Sequence, residues 1–141
     1  MTNILIINSN YYKSISDNLV YNAVKKITLP NFSISKIDVP GVFEIPIAIR
    51  KNIKKFDGFV ALGCVIKGQT PHFDLICSST FNAILKISID FNKPISNGII
   101  TAFNMRQAFQ RSIKSNIKKP NKGIEAANAV ISILQNVPKK I

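Results

Sequence analysis

The sequence predicts an α/β fold, a three-layer α/β/α sandwich around a four-stranded parallel sheet. Three observations carry that expectation. Four short strand-like runs alternate with helical segments, the order that builds one open parallel sheet covered on both faces. The first run, Asn3 to Asn8, is almost wholly apolar, as suits a strand lying between two helical layers. The chain has 141 residues, room for one compact domain with an internal core and little room for a second, so 1–141 is read as a single domain.

Each element follows from a local pattern. After the first strand a helix is expected from Ser16 to Ile27, where Leu19, Ala23 and Lys26 share one face and Val20, Val24 and Ile27 broaden the buried side. Pro30 stops it. Phe32 and Ile34 open a second strand, but the apolar phase slips before Ile37, which predicts an edge position or a bulge. Pro40-Gly41 makes a turn, and the mixed segment Val42 to Ile53 accommodates Pro46 only early in a helix. Phe56 to Val65 reads as the strongest internal strand and Pro71 to Ile89 as the longest helix. On that helix Phe73, Ile76, Cys77, Thr80, Phe81 and Ile84 line one side, as core contacts ahead of ligand contacts. A fourth strand from Ile95 to Thr101, a helix around Asn104 to Lys114, and a final helix from Ile124 to Leu134 complete the order.

Composition narrows the function classes. Apolar stretches are broken by Asn, Lys, Gly or Ser before reaching transmembrane length, so no membrane span is expected. The apolar run Ile4 to Ile7 follows Met1 without a charged leader or a small-residue cleavage segment, which makes cytoplasmic residence the default. Cys64 and Cys77 lie in apolar surroundings without further soft ligands nearby, favouring buried thiols over a disulfide or a zinc site. Lys and Arg number 19 against 7 Asp and Glu, a formal charge of +12 that invites a polyanion partner. The basic residues are nevertheless spread over Lys25-Lys26, Arg50-Lys51, Lys54-Lys55, Lys114, Lys118-Lys119 and Lys139-Lys140, at expected helix ends and loops. Specific nucleic-acid recognition is therefore not expected, while nonspecific attraction to polyanions stays open.

Ligands of open parallel sheets bind beyond the carboxyl ends of the strands. Asn8 to Tyr12, Gly41 to Glu44, Gly63 to His72 and Asn97 to Thr101 all fall at those ends. His72 is the only histidine. Thr70 suits a helix cap and Pro71 the first helical position. Gly68, Gln69 and Thr70 would then offer backbone amides and a hydroxyl to an anion, beside an imidazole able to exchange protons near neutral pH. A histidine that only hydrogen-bonds locally at a helix start fits the same residues.

Two long motifs, in order, resemble the 6,7-dimethyl-8-ribityllumazine synthase family, whose enzymes catalyse the penultimate step of riboflavin biosynthesis. Gly41-Val-Phe-Glu-Ile-Pro46 is similar to the family's Gly-Ala/Ser-Phe-Glu-Ile/Leu-Pro, and Gly63-Cys-Val-Ile-Lys-Gly-Gln-Thr-Pro-His72 resembles its phosphate and histidine segment. The likeness continues through Gly98-Ile-Ile-Thr101, Asn104, Gln107-Ala108, Arg111 and Asn121-Lys-Gly123, spanning nearly the full chain. It implies a flavodoxin-like fold and a transferase that condenses 5-amino-6-ribitylamino-2,4-pyrimidinedione with 3,4-dihydroxy-2-butanone 4-phosphate, releasing phosphate and water. It also implies that Tyr11 stacks on the pyrimidine, that Val42, Phe43 and Glu44 contact the ribitylamino substrate, and that Cys64, Val65 and Ile66 form the adjoining wall. Gln69, Thr70 and Arg111 would hold phosphate, Lys122 would bind substrate, and His72 would transfer protons. No metal or redox cofactor is implied. Read singly, Tyr11 fits an ordinary surface aromatic, Glu44 a turn cap, and Arg111 and Lys122 solvated charges.

The chain also departs from the family pattern. Asn97 stands where an aromatic residue commonly faces the pyrimidine pocket, Thr101-Ala-Phe-Asn104 replaces Thr-Thr-Glu-Asn, and Gln110 replaces an acidic residue before Arg111. The family implies a homopentamer with sites between neighbouring subunits, some members building sixty-subunit shells. A start almost directly on the first strand and a longer Ser112 to Pro120 connection favour the free pentamer here. A noncatalytic flavin-like ligand-binding or assembly protein is the competing reading, and archaeal-type riboflavin synthase, a related enzyme, fits the Gly63 to His72 segment less closely.

Overall fold

The computed structural model describes residues 1–113 and 121–141. In chain order the elements are β1 (Thr2–Ser9), α1 (Lys13–Lys26), β2 (Phe32–Val39), a 3-10 turn (Val42–Glu44), α2 (Ile45–Asn52), β3 (Gly58–Ile66), α3 (His72–Phe91), β4 (Ile95–Ala102), α4 (Met105–Ser112) and α5 (Lys122–Gln135). All four strands run parallel in the order β2-β1-β3-β4. The expected α/β/α sandwich is the architecture observed, and it agrees with a flavodoxin-like fold.

The strand period of two divides the buried side chains between two faces. Ile4, Ile6, Val60 and Leu62 point to one side, against Leu19 of α1, Ala108 of α4 and Ala127 of α5. Leu5, Ile7, Phe59 and Ala61 point to the other, against Ile49 of α2 and Ile84 of α3. β1 and β3 sit at the centre of the sheet, which is why their sequences are apolar almost throughout. From β1 the chain turns first outward to β2 and then back across to β3, so the topology reverses between β1 and β3. That reversal opens a crevice beyond the carboxyl ends of those two strands.

Several details differ from the sequence expectation. α1 starts earlier, at Lys13, where Tyr12 supplies no capping side chain and an exposed Lys13–Asp17 pair spans the first turn. Val24 and Lys26 lie outside the core, because α1 turns Leu19 and Ala23 squarely onto the sheet. β2 is an edge strand whose register against β1 runs unbroken from Phe32 to Val39, so the phase slip marks its one-sided exposure, without a bulge. Pro46 does sit in the opening turn of α2. α3 begins one position later than expected. Pro71 is its flanking residue, and the Thr70 hydroxyl only reaches the His72 amide at 3.5 Å. On α3 only Thr80 and Ile84 of the expected core face are fully buried; Phe73, Ile76, Cys77 and Phe81 are half-covered. Both cysteines are free, Cys64 buried but Cys77 only partly so, since α3 has no protein layer outside it.

The end of α4 is tied to its neighbours by side-chain amides. The Ser112 carbonyl accepts from Asn22 Nδ2 of α1 at 3.2 Å and from Asn121 Nδ2 at 2.9 Å, while Asn121 Oδ1 caps α5 by accepting from the Ile124 amide at 3.0 Å. Lys114, expected to end α4, and residues 114–120 of the connection expected to be longer than usual lie outside the described residues.

Candidate active site

At the β1–β3 crevice the strands end and three short segments close in. The bend after β1 carries Tyr11 and Tyr12, and the Asn10 amide donates to the Val39 carbonyl at 3.2 Å, fixing the bend against β2. The Pro40-Gly41 turn is followed by the 3-10 turn, closed by the Glu44 amide on the Gly41 carbonyl at 3.2 Å. That turn buries Val42 and leaves Phe43 64% exposed, projecting an aromatic face outward. The last residues of β3, Cys64, Val65 and Ile66, form the opposite wall, and the first turn of α3 brings in His72 and Ile76.

Together these residues enclose a cavity of about 450 Å³ lined by Ser9, Tyr11, Tyr12, Pro40, Gly41, Val42, Phe43, Glu44, Cys64, Val65, Ile66, His72 and Ile76. The walls are mostly apolar, with a few polar groups placed among them, the usual composition of a small-molecule site. Tyr11 and Tyr12 meet edge-to-face with ring centroids 4.9 Å apart, and Tyr11 stays 73% exposed. Burial pushes the Tyr12 phenol above its ordinary value, helped by the Cys64 thiol and by Tyr11. The Cys64 thiol is itself pushed up to about 12 by burial, so it contributes a neutral wall and no nucleophile. Among the described residues no three His, Cys, Asp or Glu side chains gather as a metal set.

Of the residues singled out in the sequence, Tyr11, Val42, Phe43, Glu44, Cys64, Val65, Ile66 and His72 line this cavity. Gln69 and Thr70 lie exposed in the loop that delivers His72, outside the lining. Asn97 is exposed on the edge strand β4, with Oδ1 accepting from the Ile99 amide at 3.0 Å. Arg111 and Lys122 sit in the α1/α4/α5 layer; Arg111 Nη1 donates to the Gln107 carbonyl at 3.2 Å, and Lys122 Nζ lies 3.3 Å from Glu125 Oε1. Ser9 and Tyr12 were not singled out. Their signal is positional, since both fall in the Asn8 to Tyr12 stretch at the end of the central strand.

The two motifs that resembled one family therefore supply two walls of one cavity. Residues 1–137 match the family of 6,7-dimethyl-8-ribityllumazine synthase. The chain belongs to that family. A 6,7-dimethyl-8-ribityllumazine synthase of Campylobacter jejuni is 39% identical over 145 residues, covering 99% of this chain and 92% of its own. One from Bartonella tribocorum is 36% identical over 133 residues, covering 92% and 88%. One from Methylorubrum populi is 36% identical over 140 residues, covering 94% and 81%. Family membership brings the enzyme class, a transferase of riboflavin biosynthesis. No described helix is long and apolar enough to cross a membrane.

Proposed function

We propose that this chain makes 6,7-dimethyl-8-ribityllumazine from 5-amino-6-ribitylamino-2,4-pyrimidinedione and 3,4-dihydroxy-2-butanone 4-phosphate. The observation that carries this reading is the shared cavity of Tyr11, Val42 to Glu44, Cys64 to Ile66 and His72. The pyrimidine lies on the Tyr11 ring and its ribityl chain runs along Val42, Phe43 and Glu44, the carboxylate accepting from hydroxyls. Its free amine attacks the ketone, and the carbinolamine loses water to give an imine. Elimination of phosphate leaves an unsaturated intermediate whose remaining carbonyl is attacked by the ribityl-bearing nitrogen, and loss of a second water closes the lumazine ring. His72 moves protons in these steps. Gln69, Thr70 and the planar Arg111 guanidinium hold the leaving phosphate, and Lys122 contacts substrate. Holding two substrates in one orientation supplies much of the acceleration.

Arg111, Lys122 and Asn97 lie outside the cavity of their own chain, which accords with sites completed by a neighbouring copy. Self-association is also supported by the apolar residues left exposed on and beside α3, namely Phe43, Ile47, Leu75, Leu85 and Ile89, each at least 59% accessible. The assembly is a homopentamer, with the sixty-subunit shell the lesser alternative, and each protomer a single domain over 1–141. Two free thiols accord with a cytoplasmic setting.

The test supplies both substrates and follows lumazine and inorganic phosphate together. The wild type should release them in equal amounts. His72→Ala should slow the reaction by roughly 10²-fold while leaving residual turnover, and Arg111→Ala should chiefly raise KM for the phosphorylated substrate. Folded oligomers making neither product would overturn the assignment, and tight lumazine binding without turnover would favour a noncatalytic ligand-binding protein.

A further inference from the structure

Ser9 is the last residue of β1 and only 2% exposed, it lines the cavity, and its Oγ has no hydrogen-bond partner among the described residues. Buried hydroxyls are ordinarily paired, because an unpaired one loses its hydration without return. The surroundings of Ser9 are unusual as well. A Cβ built at Gly63 would lie 3.0 Å from Ser9 Cβ, 3.7 Å from Ser9 Oγ and 2.9 Å from Val42 Cγ1. Ser9 and Val42 thus both pack against the bare backbone of Gly63, which holds the two side chains next to one another at the cavity wall.

We infer that Ser9 is a specificity-determining residue whose hydroxyl pairs with a hydroxyl of the substrate's ribityl chain. This rests on the function proposed above, which runs that chain along Val42, Phe43 and Glu44. Val42 is the neighbour of Ser9 across Gly63. Serine and a polyol hydroxyl are each both donor and acceptor, so either can orient to suit the other, whereas the Glu44 carboxylate only accepts. A partner arriving with the ligand also explains why the hydroxyl is kept in an otherwise apolar spot.

The inference makes stability and binding move in opposite directions. Ser9→Ala removes an unpaired hydroxyl from the free protein, so the variant should melt at the same temperature or higher. The probes are 6,7-dimethyl-8-ribityllumazine and its 8-(5-hydroxypentyl) analogue, which lacks the inner hydroxyls, titrated by fluorescence into the full-length assembled protein. S9A should bind the ribityl compound roughly 3- to 10-fold more weakly than wild type and the hydroxypentyl compound equally well. In turnover, KM for the pyrimidine should rise while KM for the phosphorylated substrate holds. Unchanged binding of the ribityl compound, equal loss of both compounds, or a lower melting temperature would each overturn the role of Ser9. Wild type that binds neither compound and makes no product would instead overturn the proposed function itself.

Discussion

At Cys64, burial alone raises the thiol from 9.0 to about 12. Folding therefore holds on to a proton that the unfolded chain releases above pH 9. The stability linked to this proton is complete below pH 9.0 and is lost as pH climbs towards 12. Urea midpoints of wild type should fall across that window more steeply than those of Cys64→Ala; equal slopes would remove the thiol from the alkaline transition. Iodoacetamide at neutral pH should label the half-covered Cys77 well before Cys64, read by peptide mass. At this scale the sequence disclosed the residues with distinctive chemistry, His72 and Glu44, and the walls that belong to motifs. It did not disclose Ser9 or the close Tyr11–Tyr12 pairing, because a serine or a second tyrosine has no signature until a neighbouring strand covers it.

Among the elements, β4 and α5 depend on the bare backbone of Gly98. A methyl there would meet Leu62 Cδ2 at 2.5 Å, Ala126 Cβ at 2.9 Å and the Ala61 carbonyl oxygen at 2.9 Å. Gly98→Ala should destabilise the fold by about 1–3 kcal/mol in urea titrations, and a smaller effect would mean that α5 can shift outward freely. Asn121→Ala removes both the cap of α5 and the bond to the Ser112 carbonyl. It should cost about 1–2 kcal/mol by the same measurement. Element order was readable because apolar runs and helical periodicity mark each buried segment. Boundaries were less so. α1 begins without a capping side chain, and the Thr70-Pro71 pair that marks the start of α3 is displaced by one residue from the ideal cap. The full burial expected along α3 failed for a different reason, since no other element of the protomer packs on the outer side of that helix.

For the whole molecule, the uncovered side of α3 predicts the quaternary state. Leu85→Glu combined with Ile89→Glu places charges on that exposed apolar face, and multi-angle light scattering should show the oligomer replaced by smaller species. An unchanged mass would locate the interface elsewhere. The family resemblance placed Arg111 and Lys122 in the same functional set as His72, yet folding separates them into opposite layers of the sandwich. Motif order does not state whether residues meet within one copy or between two. That separation has a genetic consequence. If each site borrows its phosphate-binding arginine from the next protomer, a His72→Ala subunit can still donate Arg111, and an Arg111→Ala subunit can still donate His72. Co-expressed in equal amounts, the two defective proteins should assemble mixed oligomers in which roughly a quarter of such interfaces are intact in both residues. Two alleles, each impaired alone, would complement one another.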